Sequence, residues 1–301
     1  MSEIQMRTNA ELMRDLELIF ARIQSASLPI YETLKQSLGE YAQSTNATGD
    51  TQLKADIQAD TILQNTFKDL RIVHQVCSEE QEQTIKLHDK GIYSIAYDPL
   101  DGSSLMGANL SVGSIFGIYH GDFLPQNLVA SAYILYGMVV GIGFASILKE
   151  GVDYFVYNGK TFDLQKCFKL SHKGKLNATG GTQKNWSLSH KAKIESLFNA
   201  GYRLRYSGGM VPDLHHILVK GGGIFSYPST SDAPQGKLRM LFEVFPFAFI
   251  FERAGGGAVC ISENAHNITE VKRLLELTPK HLHDTTPCFF GSLEEIEFVS
   301  K

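Results

Sequence analysis

The most informative part of the chain is the segment Tyr97–Leu105, which has the sequence YDPLDGSSL. Asp98 and Asp101 flank a Pro-Leu pair, and a Gly-Ser-Ser run follows directly. Asp-Pro and Asp-Gly are common turn dipeptides, so a plain β-turn is the simpler interpretation. The alternative is that the two carboxylates bind divalent cations, while the Gly-Ser-Ser run binds an anion that those cations also contact. The surrounding sequence bears on this choice.

Two apolar segments run into pairs of acidic residues. The segment IVHQVC precedes Glu79 and Glu80, and the segment YSIAY precedes Asp98 and Asp101. Both segments are typical of strands. Because α/β active sites are commonly built where strands end, the two acidic pairs are expected to meet at one sheet edge.

Further carboxylates stand beside a polar loop and inside an apolar run. Asp50 and Asp56 lie in or next to the polar stretch QSTNATGDTQLKADIQAD, and Glu243 interrupts LFEVFPFAFIF. A buried carboxylate without a partner is costly, so Glu243 requires a metal ion, a lysine or an arginine nearby. Taken singly, each acid has a structural explanation; together, and beside Gly-Ser-Ser, they indicate a site.

Clustered carboxylates repel one another unless a positive charge lies between them. Oxygen ligands suit Mg²⁺ or Mn²⁺, whereas zinc favours cysteine and histidine. Two or more hard cations fit phosphoryl hydrolysis, because they neutralise the phosphate and activate a water molecule. Gly102, Ser103 and Ser104 would then offer N–H and O–H donors to the same phosphate.

Composition narrows the function classes. The chain has 301 residues, 43% of them hydrophobic and 20% charged, and a formal net charge of −4. No block of lysine or arginine indicates nucleic-acid binding. The four cysteines lie far apart without a CxxC pair, which favours reduced thiols. The first twenty residues carry acids and lack the apolar core of a signal peptide, so we expect a cytoplasmic protein.

One uncharged stretch, residues 130–148 (ASAYILYGMVVGIGFASIL), has nearly the length of a membrane span. Three glycines interrupt it, and Val, Ile and Tyr dominate between them. We therefore predict two buried strands and a turn rather than a membrane helix.

Mixed helical and strand patterns without a repeat predict an α/β protein with layered sheets and helices. Residues 10–43 predict two helices broken near Pro29, and helices are also predicted at 56–70, 189–200 and 211–220. A hairpin is predicted with its turn at Asn158-Gly159. After about residue 165, polar and glycine-rich segments separate the predicted helices and strands. This change predicts an N-terminal lobe of residues 1–165 and a C-terminal lobe of residues 166–301.

Most of the chain resembles the class I fructose-1,6-bisphosphatases, within the lithium-sensitive, metal-dependent sugar phosphatase superfamily. The motif DPLDGSS alone indicates the superfamily, since inositol monophosphatases have a similar DPxDGT. The family's other motifs occur in order: NATGD with KADIQAD, SEE, YDPLDGSS, VGSIFGIY, RYSGGMVPDLHHILVKGGGIFSYP and GKLRMLFEVFPFAFIFERAGG. The last one resembles the sugar bisphosphatase signature. The resemblance implies an α/β/α/β/α sandwich and Mg²⁺-dependent hydrolysis of the 1-phosphate of fructose 1,6-bisphosphate, with two or more cations per site and Mn²⁺ as an alternative.

The resemblance also implies roles for individual residues. It implies these metal ligands: Glu79, Asp98, Asp101, Glu243 and the carbonyl oxygen of Leu100. It implies that Asp56 and Glu80 orient and deprotonate the attacking water, and that Asp50 completes a metal site from a mobile loop. For the substrate it implies these contacts: Gly102 and Ser103 with the reacting phosphate, and Tyr206, Met210, Tyr227 and Lys237 with the sugar and distal phosphate. Arg205 resembles an arginine that reaches a neighbouring subunit's substrate, which implies a homo-oligomer, with a tetramer expected.

The sequence departs from the family at several positions. Leu105 stands where the family commonly has Asn, and NATGGTQKNW replaces an Asn-Glu-Gly segment of the distal phosphate pocket. Sedoheptulose 1,7-bisphosphate is therefore a second candidate substrate. Ile92 and His120 stand where animal enzymes have the Lys and Arg of their AMP site, so we expect AMP to inhibit weakly or not at all. A broad inositol-monophosphatase-like enzyme and a catalytically silent sugar-phosphate sensor remain as rival functions.

Overall fold

The computed structural model describes residues 7–37, 41–45, 51–263 and 269–301. Asp50 lies outside these ranges. The helices are α1 (Asn9–Ser37), α2 (Lys54–Lys68), α3 (Leu188–Asn199), α4 (Met210–Lys220), α5 (Phe245–Arg253) and α6 (Leu293–Val299). Two short antiparallel pairs stand apart from the main sheets: β1 (Tyr41–Thr45) with β2 (Thr51–Leu53), and β14 (Leu238–Arg239) with β17 (Thr285–Thr286).

The first main sheet has eight strands in the order β10-β9-β8-β7-β6-β5-β3-β4. Its strands are β3 (Val73–Ser78), β4 (Ile85–Lys86), β5 (Tyr93–Asp101), β6 (Val112–His120), β7 (Leu128–Tyr136), β8 (Val140–Ser146), β9 (Lys149–Tyr157) and β10 (Phe162–Phe168). All neighbours pair antiparallel except β3 and β5, which are parallel. The central strands are buried on both faces, which explains their near-continuous apolar sequences.

The second main sheet has six strands in the order β12-β11-β13-β18-β15-β16. Its strands are β11 (Leu176–Thr179), β12 (Arg203–Leu204), β13 (Gly223–Tyr227), β15 (Gly257–Glu263), β16 (Thr269–Arg273) and β18 (Cys288–Gly291). β11 is parallel to both β12 and β13, and the remaining pairs are antiparallel. The chain passes between the main sheets after Phe168. The division into lobes of residues 1–165 and 166–301 stays a prediction.

The helices lie in three layers around the two sheets. α1 and α2 pack on the outer face of the first sheet, and α4 and α5 fill the space between the sheets. α3 and α6 cover the outer face of the second sheet. α5 is apolar around its whole circumference because sheets cover both of its sides. The expected α/β/α/β/α sandwich is confirmed.

The uncharged stretch at residues 130–148 forms most of β7 and β8, as predicted. In the part of the chain that the structure describes, no helix combines the length and apolar character needed to cross a bilayer. The predicted hairpin joins β9 to β10, and the predicted helices at 56–70, 189–200 and 211–220 correspond to α2, α3 and α4.

The predicted break near Pro29 is wrong, because α1 continues through that residue to Ser37. A proline inside a helix costs about 3 kcal/mol. The buried stripe of α1 extends past Pro29, and burying each large apolar side chain recovers about 1.5–3 kcal/mol. That stripe consists of Leu12, Leu16, Ile19, Ile23, Ala26 and Ile30. Its packing on the first sheet therefore outweighs the local preference for a break.

Candidate active site

A bulge in β5 brings two carboxylates to one side of the strand. Asp98 pairs with Ile115 of β6, whereas Asp101 pairs with Gly113, so β5 contains one extra residue between these pairs. In a regular strand, residues three apart point to opposite faces. The extra residue cancels this alternation and bends the strand, as β-bulges do beside active sites. YDPLDG is therefore a strand with a bulge and not a plain turn.

A third carboxylate, that of Glu243, lies beside Asp98 and Asp101 although it is far from them in the sequence. Glu243 lies in a π-helical turn, Met240–Val244, that leads into α5. One carboxylate oxygen from each of Asp98, Asp101 and Glu243 lies within 4.8 Å of the others, and all three residues are buried. Irregular π-turns occur often at functional sites. We call these three residues the acidic cluster.

Burial and mutual repulsion dominate the electrostatics of the acidic cluster. Burial raises the pKa of Asp98 well above its usual range, and repulsion from Glu79 and Asp101 adds to the rise. Burial likewise raises the pKa of Glu243 to about 8, with repulsion from Glu79 contributing and Arg239 opposing the shift. Such carboxylates favour a bound positive charge. The donor set of buried oxygens fits a hard divalent cation.

Glu79 stands at the edge of the acidic cluster, just after β3. Its backbone N–H donates to the carbonyl oxygen of Tyr97 at 3.0 Å, because β3 and β5 are neighbouring parallel strands. Repulsion from Glu79 contributes to the raised pKa of Asp98 and of Glu243. The expectation that both acidic strand ends meet at one edge is therefore confirmed for Glu79 and Asp98.

Arg239 is a member of the site that was not predicted from the sequence. Its Nη1 lies 2.5 Å from Oε1 of Glu79, and its backbone N–H donates to Oε2 of Glu243 at 2.6 Å. Only 13% of the Arg239 side chain and 12% of the Glu79 side chain are exposed. The motif GKLR could have indicated this arginine, because Glu243 follows it closely and required a nearby cation. Arg239 supplies part of that charge, although the pKa of Glu243 stays raised to about 8 by burial and by Glu79.

The N-terminus of α4 binds Asp101 directly. The backbone N–H groups of Met210 and Val211 donate to the Asp101 carboxylate at 3.2 and 2.7 Å. Burial raises the pKa of Asp101 to about 7, although these two hydrogen bonds lower it. Met210 is thereby fixed beside the acidic cluster, where its backbone was expected to contact the sugar.

The expected phosphate-binding turn follows the bulge without a break. Leu100 lies between the two aspartates, and its N–H donates to Oδ1 of Asp98 at 2.9 Å. Gly102 has a φ of 76°, a left-handed conformation that side chains disfavour, and it starts a 3₁₀ turn, Ser103–Ala108. Gly102 and Ser103 are half-buried, and Ser104 is exposed. The turn thus begins immediately after Asp101.

Asp56 and Glu80 are placed by the helix α2 and by the end of β3. Asp56 is buried in the first turn of α2. One helical turn later, Asp60 accepts hydrogen bonds from Tyr97 at 3.0 Å and from Gln81 at 2.7 Å. Residues four apart share a helix face, so Asp56 lies on the face that α2 turns toward β5 and the segment after β3. Glu80 is half-buried, and its N–H donates to Ser78 at 3.2 Å.

The residues expected to bind the distal phosphate lie in and around the second sheet. Tyr227 ends β13, and Tyr206 lies between β12 and α4. Partial burial raises the pKa of Tyr206 to about 12, although 43% of the residue is exposed, and Tyr227, Asp213 and Asp101 add to the rise. Burial also raises the pKa of Tyr227, and Glu243 adds to that rise. Both tyrosines therefore lie within electrostatic range of the acidic cluster.

Two cationic residues of this group are exposed. Lys237 comes just before β14 and two residues before Arg239. Arg205 follows β12, and its Nη1 donates to the carbonyl oxygen of Leu204 at 2.7 Å. Permanent positive charge at the surface is suited to an anionic group of a ligand that enters from solvent.

Models of two protein domains match the chain. The description "Fructose-1-6-bisphosphatase, N-terminal domain" matches residues 3–167, and "Fructose-1-6-bisphosphatase, C-terminal domain" matches residues 170–301. The chain is 50% identical over 287 residues to the class 1 fructose-1,6-bisphosphatase of Helicobacter hepaticus, a match that covers 95% of this chain and 99% of the relative.

Solved structures have the same fold. The holo form of Leishmania major fructose-1,6-bisphosphatase matches with a TM-score of 0.85 and 31% identity, covering 95% of this chain and 93% of that one. A Toxoplasma gondii chain, provisionally named sedoheptulose-1,7 bisphosphatase, matches with a TM-score of 0.83 and 28% identity, covering 96% of this chain and 93% of that one.

Proposed function

The chain belongs to the class 1 fructose-1,6-bisphosphatase family, and from that premise we propose that it removes the 1-phosphate of fructose 1,6-bisphosphate at the acidic cluster. The products are fructose 6-phosphate and inorganic phosphate, a step of gluconeogenesis. The observation that carries the proposal is the set of three buried carboxylates within 4.8 Å of one another. Carboxylates gathered in this way are expensive unless cations bind them.

The family implies dependence on a divalent metal, and we propose Mg²⁺, with Mn²⁺ as the closest substitute. Glu79, Asp98, Asp101, Glu243 and the carbonyl oxygen of Leu100 would hold two or more such ions. Bound there, the cations would neutralise the phosphate and lower the pKa of the attacking water. Arg239 holds Glu79 at 2.5 Å and so keeps one ligand in position at the rim of the cluster.

The chain's own groups complete the reaction centre. Asp56 and Glu80 accept the proton of the attacking water, because carboxylates within reach of that water act as general bases. Gly102, Ser103 and Ser104 contact the reacting phosphate through backbone N–H and hydroxyl groups. Asp50, outside the described residues, is proposed to complete a metal site.

The spectator phosphate needs permanent positive charge and hydroxyl groups rather than metals. We assign it to Lys237, Tyr206 and Tyr227, with Met210 contacting the sugar through its backbone. Arg205 is exposed and is proposed to reach the distal phosphate in a neighbouring subunit. The working enzyme would then be a cytoplasmic homo-oligomer, with a tetramer as the expected form.

Replacing Lys237 by alanine tests whether the two phosphates of the substrate bind to different groups of residues. A hydrogen bond between charged groups contributes about 1.5–3 kcal/mol, so we expect Lys237→Ala to raise KM for fructose 1,6-bisphosphate by about tenfold or more. The KM for a monophosphate such as inositol 1-phosphate should stay within about twofold of wild type. Lys160→Ala, in the exposed turn of the β9–β10 hairpin, is the matched control. An equal rise for both substrates would refute the distal assignment.

Sedoheptulose 1,7-bisphosphate is a second candidate substrate. The similarity to the Toxoplasma gondii structure and the altered segment NATGGTQKNW support it. Values of kcat/KM measured side by side on the two bisphosphates decide between a fructose-specific and a dual-specificity enzyme. A purified protein without divalent-cation-dependent phosphate release from either sugar would instead favour a silent sensor.

A further inference from the structure

Gly180 lies in close contact with Tyr227 and Tyr206, the two tyrosines that are proposed to bind the distal phosphate. A β-carbon built on Gly180 would lie 2.5 Å from Cδ2 and 2.6 Å from Cε2 of Tyr227, and 2.9 Å from the hydroxyl oxygen of Tyr206. Nonbonded carbon atoms in proteins pack at about 3.5–4.0 Å. Any side chain at this position would therefore collide with one edge of the Tyr227 ring and with the hydroxyl group of Tyr206.

The backbone conformation does not explain why glycine stands here. Gly180 is absent from the described residues with positive φ, whereas its neighbour Gly181 has a φ of 81°. Gly181 thus needs glycine for its backbone, and Gly180 needs it for the close approach of Tyr227 and Tyr206. The constraint at Gly180 is one of space alone.

Gly180 has no room to withdraw from the tyrosines. Its N–H donates to the carbonyl oxygen of Ser226 at 2.8 Å, and its carbonyl oxygen accepts the indole N–H of Trp186 at 3.0 Å. Ser226 directly precedes Tyr227 in β13. The backbone of Gly180 is therefore fixed from both sides, so a side chain added there would displace the rings instead.

We infer that Gly180 is a positioning residue of the distal phosphate site, where its missing side chain lets Tyr227 and Tyr206 converge on one phosphate group. The inference rests on the proposed function, because that function supplies the ligand of the two hydroxyl groups. Gly180 contacts the tyrosines and acts through them. Its effect should therefore appear in substrate binding rather than in the chemical step.

The test is Gly180→Ala, assayed on fructose 1,6-bisphosphate and by binding of fructose 6-phosphate, which carries only the distal phosphate. We expect KM to rise by about tenfold, with kcat changed by less than about threefold. Trp186 is the chain's single tryptophan and hydrogen-bonds to Gly180, so its fluorescence reports fructose 6-phosphate binding without turnover. The dissociation constant for fructose 6-phosphate should rise in parallel with KM.

Gly257→Ala is the matched control in the same sheet, because the three atoms nearest to its β-carbon would be those of Ile296, at ordinary distances of 3.4–3.6 Å. A double-mutant cycle with Tyr227→Ala, which removes every ring carbon near Gly180, separates positioning from folding. If the added β-carbon acts by displacing Tyr227, Gly180→Ala should add little to the KM of Tyr227→Ala, and it should lower the melting temperature less than it does in the wild type.

Three results would overturn the inference: an unchanged KM in Gly180→Ala, additive effects in the cycle, or a loss confined to kcat. A wild-type protein that does not hydrolyse fructose 1,6-bisphosphate would instead refute the proposed function. The two failures are thus distinguishable.

Discussion

Arg239 supplies positive charge at the edge of a group of buried acids. Its guanidinium pairs with Glu79, and its backbone N–H donates to Glu243. Arg239 also opposes the rise in the pKa of Glu243 that burial and Glu79 produce. The residue therefore stabilises the acidic cluster of the metal-free protein.

Arg239→Met should destabilise the metal-free protein by about 2–4 kcal/mol at pH 8, because it leaves a nearly buried carboxylate without its cation. Urea denaturation in EDTA measures this change. Saturating Mg²⁺ should reduce the deficit, since bound cations supply positive charge to the same carboxylates.

Arg273→Met is the control for Arg239→Met. Arg273 forms exposed ion pairs with Glu252 and Glu276, and such pairs contribute about 0–1 kcal/mol. Equal stability of wild type and Arg239→Met in EDTA would show that the pair with Glu79 has no role in holding the acidic cluster together.

At the scale of single residues, the sequence identified the carboxylates but not their arrangement. Glu243 could be identified as an acid that needs a cation, because it interrupts an apolar run. Arg239 as the partner of Glu79 could not be identified, since a side chain's direction depends on tertiary packing. Asp60 was missed for a related reason: within KADIQAD, nothing separates a structural acid that binds Tyr97 from a proposed catalytic one.

At the scale of elements, most helices and strands could be predicted from periodicity and turn residues. The exceptions arise where packing outweighs local preference. α1 continues through Pro29 because one apolar stripe covers the first sheet on both sides of that residue. The bulge in β5 was also missed, because Asp-Pro-Leu-Asp-Gly has the composition of a turn.

The helix α4 connects the acidic cluster with Tyr206. Its first two backbone N–H groups bind Asp101, and helix N-termini favour negative charge. The residues just before the helix include Tyr206. A shift of α4 along its axis would therefore affect both the acidic cluster and Tyr206, which is proposed to bind the distal phosphate. Only the folded chain shows this link, since the partners are far apart in sequence.

At the scale of the whole molecule, the two sheets and the helices between them bring residues 79–101 and Glu243, which are far apart in the sequence, into one site. β3 and β5 of the first sheet supply Glu79, Asp98 and Asp101, and the turn before α5 supplies Glu243. The order of layers could be predicted through the family resemblance. The residues alone predicted no more than layered sheets and helices, because strand order depends on long-range pairing.

The acidic cluster should make the stability of the metal-free protein depend on pH. Burial raises the pKa of Asp101 from about 4 to about 7 and that of Glu243 to about 8. Between pH 4 and 8, these two groups thus bind more protons in the folded than in the unfolded state, and their contribution to stability should fall as pH rises through this window.

Thermal denaturation in EDTA at pH 5.5 and pH 8 measures this effect. We expect the melting temperature to be lower at pH 8 by on the order of 5 °C. Saturating Mg²⁺ should raise it more at pH 8 than at pH 5.5, because the metal binds deprotonated carboxylates. A Mg²⁺ effect of equal size at both pH values would contradict the assignment of these acids as ligands.

The most direct test of the central claim is phosphate release from fructose 1,6-bisphosphate by the wild type and by Asp98→Asn, with Mg²⁺ and with EDTA. The amide can still accept the N–H of Leu100, and it removes a buried charge, so the variant should fold at least as stably in EDTA. We predict one phosphate per substrate from the wild type with Mg²⁺, none in EDTA, and a rate at least about a thousandfold lower for Asp98→Asn. Wild-type activity in EDTA, or an Asp98→Asn variant that keeps its rate with Mg²⁺, would contradict the account.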